Sequence, residues 1–462
     1  MGPMTQALPR PDPAILAIAD MIGDAVEAAR FPQHILRWRN DRAAAAIGLE
    51  ALDDAAWVAA FGQFEPLPGN LPRPLALRYH GHQFGSYNPD LGDGRGFLFA
   101  QFRDRDGRLI DLGTKGSGQT PYSRFGDGRL TLKGAVRELL ATEMLAALGV
   151  ETSATFSIID TGEALHRGDE PSPTRSAVLV RQSHGHIRIG SFQRLAYLGE
   201  TEAMERLLRY CLANYARVDA GQAQAMPVDE AAAMLVRFSA ERCARMAASF
   251  MVAGFVHGVL NSDNINISGE SFDYGPWRFT PEWDPAFVAA YFDHGGLYAF
   301  GRQPQVIHWD VGQLAVSLRT IAPAEPLVEA LEAFAPAYEA AIAERFCWRL
   351  GVSGADAASD RALVLAAERF MVASGTRIDR FFIDWAGGRV AAGDETPERQ
   401  ALIAALAGRE AVRGRWWEDT QPQSMDIEEV ETIWAAIAEG DEWQPLNNKV
   451  AAIRAMGAAL AA

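Results

Sequence analysis

Between His257 and Pro276 the chain reads HGVLNSDNINISGESFDYGP, and its chemically able residues are Asp263, Asn264 and Asp273. Ile265-Asn266-Ile267 and Glu270-Ser271-Phe272 alternate about Ser268-Gly269, a pattern that predicts a small hairpin. A hairpin brings its ends together, so Asn264 and Asp273 should face one point in space. One charged and one neutral oxygen ligand converging there would suit Mg²⁺ or Mn²⁺ bound to substrate phosphates. The plainer reading is that Asp263 and Asn264 only shape a turn, which both residue types favour.

The order of these residues resembles that of protein kinases, in which a catalytic-loop Asn, a hairpin and the Asp of Asp-Phe-Gly hold the metal. His257-Gly258 stands where such a loop begins, and Asn264 is in register with the metal-binding Asn. The base is out of register. In kinases it sits two residues after the histidine, and here that position is Val259, which cannot accept a proton. The nearest carboxylate is Asp263. Either the chain is an inactive relative of kinases, or Asp263 is the base for a substrate held differently.

These residues need a scaffold, and 462 residues with 48% hydrophobic content can bury a large core in two or more lobes. The net charge of −16 argues against nucleic acid as the main partner. An acidic chain that binds ATP needs positive charge concentrated locally. The only lysines are Lys115, Lys133 and Lys449, so a lysine inside a glycine-rich stretch is conspicuous. Three scattered cysteines with no Cys-x-x-Cys indicate neither a disulfide framework nor a zinc ribbon, and fit a reducing cytoplasm. No signal peptide or membrane-spanning run is evident. A monomer is expected.

The predicted fold class is α+β. Residues 1–70 read as an N-terminal helical extension, with helical spacing from Ala14 to Ala29 and from Asp53 to Phe61. Residues 71–200 read as a β-rich N-lobe. It has strand candidates at Leu75–Tyr79, Phe97–Phe102 and Leu109–Thr114, then a helix from Thr131 to Leu148 that carries Glu138. Strands return after residue 151, Ala177–Arg181 among them, and Ser183-His184-Gly185-His186 reads as a turn. Residues 201–385 form a mainly helical C-lobe, whose long helix Glu230–Gly254 runs straight into His257. Residues 386–462 read as a C-terminal helical extension with a Trp-rich segment, Arg415–Asp419.

Gly92-Asp93-Gly94-Arg95-Gly96 offers backbone N–H groups that can approach an anion closely, with Arg95 as a fixed positive fork. As a plain hairpin turn it would read equally well. Lys115, in Gly-Thr-Lys-Gly-Ser-Gly, is not a Walker A lysine, because Gly116 rather than Ser or Thr follows it. At a strand end it could instead reach phosphates and pair with Glu138; otherwise it is a surface lysine. Gly126-Asp127-Gly128-Arg129 is a second cradle or a plain turn. Arg181 and Arg188 would supply the concentrated charge, or make surface salt bridges. His80 and His82 lack further zinc ligands and read as structural or supporting histidines.

Together these motifs resemble the SelO family of pseudokinases. The matching residues are Tyr79-x-Gly81-His82-Gln83-Phe84-Gly85, Leu91-Gly92-Asp93-Gly94-Arg95, Lys115-Gly116-x-Gly118-x-Thr120-Pro121-Tyr122-Ser123-Arg124, Gly126-Asp127-Gly128-Arg129, Arg137-Glu138, Asn261-x-Asp263-Asn264 and Asp273-Tyr274-Gly275-Pro276. The resemblance implies a protein-kinase-like bilobal fold that transfers AMP, not phosphate, from ATP to a protein Ser, Thr or Tyr hydroxyl. It implies nucleotide contacts from Gly92, Gly94, Arg95, Lys115, Asp127, Gly128, Arg181, Arg188 and Asp273. Glu138 would orient Lys115, Asn264 and Asp273 would hold Mg²⁺ or Mn²⁺, and Asp263 would take the proton. The chain lacks the Cys pair or selenocysteine with which many members end, which puts a C-terminal redox switch in doubt. Two other functions stay open: a γ-phosphate-transferring kinase, and an inactive ATP-binding scaffold.

Overall fold

The computed structural model describes residues 9–168, 170–412 and 422–461. One antiparallel sheet runs in the order Gly23–Ala25, Leu75–Leu77, Leu98–Arg103, Leu109–Lys115, Thr174–Ser183, Ala154–Leu165, Ile35–Arg39, with Leu130–Thr131 also paired to Thr174–Ser183. The 1–70 segment, expected to be helical, supplies both edge strands. Its helical spacing over 14–29 resolves into a 3₁₀ turn at Ala14–Ala17, one helical turn at Ala19–Ile22, and then a strand. Pairing with Leu75–Leu77 overrides the local pattern there. Asp53 does cap a helix, Asp54–Phe61, whose Trp57 stacks on Phe156 at 4.7 Å between centroids.

Sheet register decides which side chains meet. Leu179 is opposite Lys115 and Arg181 is opposite Gly113. Directly paired residues share a face, so Lys115 and Arg181 project to the same side, two rungs apart. Across that face lies the helix Leu132–Ala147. Thr131 caps it by accepting from the Gly134 N–H, and Gly149 ends it at φ +74°. Its buried Leu132, Ala135, Val136, Leu139 and Leu140 keep helical spacing and lodge Glu138 beneath the sheet.

The remainder is mainly helical. Val228–Ala253 ends at Gly254 (φ +72°) and feeds the short strand Phe255–Val256, paired with Arg278–Phe279. Gln303, at the start of the helix Gln303–Leu318, donates to the Phe255 carbonyl and accepts from the His257 N–H. Residues 151–200, expected to be strands with a turn at Ser183–His186, instead end in a helix at Ile189–Leu198. The Trp-rich segment Arg415–Asp419 lies outside the described residues. No helix among the described residues is long and apolar enough to cross a membrane.

The C-terminal helix Gln444–Ala461 packs on Leu132–Ala147. Arg454 grips Glu143 through two bonds of 2.6 and 2.7 Å. Gly457 permits the close approach, since a Cβ there would stand 2.9 Å from the Ala147 Cα. Gly457→Ala is therefore expected to destabilise the protein by about 1–3 kcal/mol, read as a lower chemical-denaturation midpoint. An unchanged midpoint would mean that the two helices separate freely.

Candidate active site

Gly92, Gly94, Arg95, Lys115, Asp127, Gly128, Arg181, Arg188, Asp263 and Asp273 all line one cleft of about 590 Å³. Glu138 lies just behind its wall, and Asn264 follows Asp263 on the same turn. Seven basic side chains (Arg95, Lys115, Arg124, Arg129, Arg167, Arg181, Arg188) line the cleft against five aspartates (Asp90, Asp93, Asp127, Asp263, Asp273). A chain of net charge −16 thus concentrates positive charge in one cleft.

At its floor is a charge cluster. Lys115 Nζ is 2.7 Å from Glu138 Oε2 and 2.9 Å from Asp273 Oδ1. Arg181 Nη1 is 3.1 Å from the same Asp273 oxygen and 3.8 Å from Glu138 Oε1. Burial alone would raise the Asp273 carboxyl, but Lys115, then Arg181, Arg188 and Arg95, outweigh it and hold it well below the usual carboxylate range. Asp273 sits in the left-handed region at φ +65°. That backbone costs on the order of 1–2 kcal/mol, and the two cations on its carboxylate hold it there.

Arg188 is the second hub. Its guanidinium lies between the rings of Tyr79 (4.2 Å) and Phe272 (4.9 Å). It donates to the Asp263 carbonyl at 2.9 Å and to Asp93 Oδ1 at 3.1 Å. Phe272 also faces Arg181, at 5.0 Å, so one ring serves both arginines. Tyr79, Asp93 and Phe272 are participants that reading the sequence did not single out as site residues. Their signal was position: each lies in, or directly beside, a motif residue already chosen.

The hairpin expected between Asn264 and Asp273 is absent. The chain does turn, with Gly269 N–H bonding the Asn266 carbonyl. The two arms pair elsewhere, Asn266 with Arg188 and Ser271 with Thr152. Both arms are almost wholly buried, and their backbone groups find partners in the 187–189 and 151–153 segments instead of each other. The Phe272 arm is tied back to the start of the loop by His257, whose Nε2–H donates to the Phe272 carbonyl at 3.0 Å.

Asp263 stands on the 3₁₀ turn Ser262–Asn264. Burial pushes its carboxyl up to about 6, with Arg188 opposing, and its Oδ1 has no hydrogen-bond partner among the described residues. The Tyr79–Gly85 motif clamps this turn. His82 N–H donates to Ser262 Oγ at 2.7 Å, and Phe84 N–H to Asn261 Oδ1 at 3.3 Å. Ser262 Oγ donates on to Gln193 Oε1, and the Gln193 amide meets His82 Nδ1. His82 therefore supports the turn from behind, while His80 meets the Tyr87 hydroxyl. Asn264 donates its amide to the Val259 carbonyl at 3.1 Å, and no bond to its Oδ1 is made among the described residues.

The glycine-rich loops have a further reason for glycine. A Cβ on Gly92 would fall 2.3 Å from the Tyr122 ring, and one on Gly94 2.9 Å from the Tyr122 carbonyl. The loops lie against each other, with Thr120 Oγ1 donating to the Asp93 carbonyl and Ser123 Oγ to the Gly94 carbonyl, both at 2.5 Å. Asp127 is engaged by Arg167 at 2.9 Å.

The model of the protein adenylyltransferase SelO family matches residues 10–418. The chain is 43% identical to protein nucleotidyltransferase YdiU of Synechocystis sp. over 95% of its length and 96% of that protein's. It is 41% identical to protein nucleotidyltransferase YdiU of Gloeobacter violaceus over 96% and 94%. The same-named protein of Trichodesmium erythraeum is 42% identical over 94% and 96%. The protein is an enzyme of the nucleotidyltransferase class. More closely, it belongs to the SelO family.

Gly81 backs the Asp263 carboxylate so closely that a Cβ would stand 2.8 Å from its Oδ1. Gly81→Ala should displace Asp263 and lower the nucleotidyl-transfer rate on the order of 10- to 100-fold, with ATP affinity nearly kept. A native rate would show that Asp263 need not sit where it does.

Proposed function

We propose that the protein is an adenylyltransferase that moves AMP from ATP to Ser, Thr or Tyr hydroxyls of other proteins and releases pyrophosphate. The observation that carries this reading is the position of Asp263. Among the described residues it is the one carboxylate lining the cleft with a partner-free buried oxygen, while the kinase base position holds Val259. The reading also takes the sheet and the helical part as the two lobes of a kinase-like fold. Residues 71–200 and 201–385 are their centres, and 1–70 and 386–462 are extensions.

In this reading Gly92, Gly94, Arg95, Asp127 and Gly128 hold the nucleotide with Lys115, Arg181 and Arg188. Glu138 keeps Lys115 aimed at the phosphates. Asn264 Oδ1 and the Asp273 carboxylate are hard oxygen donors and fit Mg²⁺ or Mn²⁺. The bound ion would supply charge neutralisation of the phosphates. The acceptor hydroxyl oxygen forms a bond to the α-phosphorus, the bond from that phosphorus to the β-phosphate bridging oxygen breaks, and the hydroxyl proton passes to Asp263. An ionised Asp263 is required, and its raised pKa makes it a better base than an ordinary aspartate. Lys115 and the arginines stabilise the charge on departing pyrophosphate. An acidic overall surface favours approach by basic acceptor proteins.

ATP labelled in turn at the α- and γ-phosphate decides between transfers. Label is expected on protein from the α position only; γ label would restore the kinase reading. Asp263→Asn should abolish α labelling with ATP binding retained, whereas unchanged labelling would remove Asp263 as base. Lys115→Ala should cost on the order of 100- to 1,000-fold in rate, and a near-native rate would take Lys115 out of the site. ATP binding with no label from native protein, across basic acceptor proteins, would favour a scaffold.

A further inference from the structure

Beneath the cleft a buried line of hydrogen bonds runs from the N-terminal segment to Asp273. Ile15 N–H donates to Gln101 Oε1 at 2.8 Å, and Gln101 Nε2 donates to Asp111 Oδ1 at 2.7 Å. Asp111 Oδ2 is 3.3 Å from His186 Nδ1, and Arg181 Nε is 3.2 Å from His186 Nε2. Arg181 then reaches Asp273 at 3.1 Å. Gly113 makes room for the imidazole, since a Cβ there would fall 2.5 Å from His186 Nε2. Ser183 Oγ, at 3.2 and 3.3 Å from the two ring nitrogens, can serve either one.

The donors fix the tautomer. A guanidinium only donates, so His186 Nε2 must present a lone pair to Arg181. The ring proton then sits on Nδ1, where Asp111 accepts it. With Nε2 unprotonated the ring is neutral, and burial, with Arg181 adding to it, lowers its pKa against the pull of Asp111.

We propose that His186, held as the Nδ1–H tautomer by Asp111 and Gln101, is a positioning residue that aims Arg181 at Asp273 and the nucleotide phosphates. This rests on the nucleotide reading of the cleft given above. Asp273 and Glu138 engage Arg181 at Nη1 and Phe272 faces its guanidinium, while His186 is the partner of its Nε–H. The line also gives the N-terminal segment, through Ile15, a direct connection to the site.

Asp111→Asn in the full-length protein tests it. Gln101 still donates to the amide oxygen at position 111, so the amide nitrogen faces His186. That moves the ring proton to Nε2, where it opposes the Arg181 N–H. Nitrogen NMR on ¹⁵N-histidine-labelled protein should show Nδ1–H in the native chain and Nε2–H in Asp111→Asn. Affinity for ATP with Mg²⁺, by calorimetry, should fall about 10- to 100-fold, the usual effect of losing an outer partner that orients a ligand. In a His186→Leu background there is no ring proton to move, so what stands at 111 has no route to Arg181 through position 186. There Asp111→Asn should cost less than about twofold in affinity.

A native Nε2–H tautomer, or an equal loss in both backgrounds, would overturn the proposal. Should Asp111→Asn fail to fold, His186→Gln and His186→Leu decide: retained ATP affinity in Gln and loss in Leu is expected, and equal affinities overturn it. Native protein that binds no ATP would sink the nucleotide reading instead, while the native tautomer would still report on His186.

Discussion

The site depends on a buried cluster of opposite charges: Lys115 and Arg181 against Glu138 and Asp273. Taking charges out of water is costly, and each ion here is tolerable only because the others are present. Removing one partner from such a set leaves an uncompensated charge and typically costs about 3–5 kcal/mol. The cluster therefore requires a sheet register that puts Lys115 and Arg181 on one face, and a helix that brings Glu138 under them. It also requires a left-handed backbone at Asp273. A slip of one residue in the Leu109–Lys115 strand would turn Lys115 to the opposite face.

The turn bearing Asp263 is positioned by a different means. Its own segment makes few bonds within itself. Ser262, Asn261 and the Asp263 carbonyl are instead held by His82, Phe84 and Arg188, from distant parts of the chain. Gly81 and Asp263 are in near contact, so the first motif and this carboxylate are one unit although 182 positions separate them. The Tyr79–Gly85 stretch is buried from Tyr79 to Gly81 and reaches the surface at Phe84 and Gly85. Its polar groups and backbone N–H groups serve the 261–264 turn.

Charge is divided between surface and cleft. The chain as a whole is acidic, yet seven basic side chains converge on one cavity. Several are already matched with aspartates, as Arg188 with Asp93 and Arg167 with Asp127. Such pairs hold the cations in fixed orientations, and in the proposed reading a phosphate would meet donors that need little reorganisation.

Much of the site was legible in the sequence because its residue types are chemically distinctive. A lysine is conspicuous in a chain with three, and Asp263-Asn264 and Asp273-Tyr-Gly carry their chemistry in their spacing. The helix Leu132–Ala147 followed from local rules, a threonine cap, apolar periodicity and a terminal glycine. Other features depended on contacts that no local pattern encodes. The apparent hairpin over 265–272 has the right alternation, but its backbone groups bond to strangers in sequence. The 14–29 stretch has helical spacing but ends as an edge strand. Sequence thus determined which groups are able to do chemistry, since that depends on side-chain type and short-range propensity. Only the tertiary structure decided their partners, because a hydrogen bond or ion pair is set by distance in space, and here those distances are fixed by sheet register and burial.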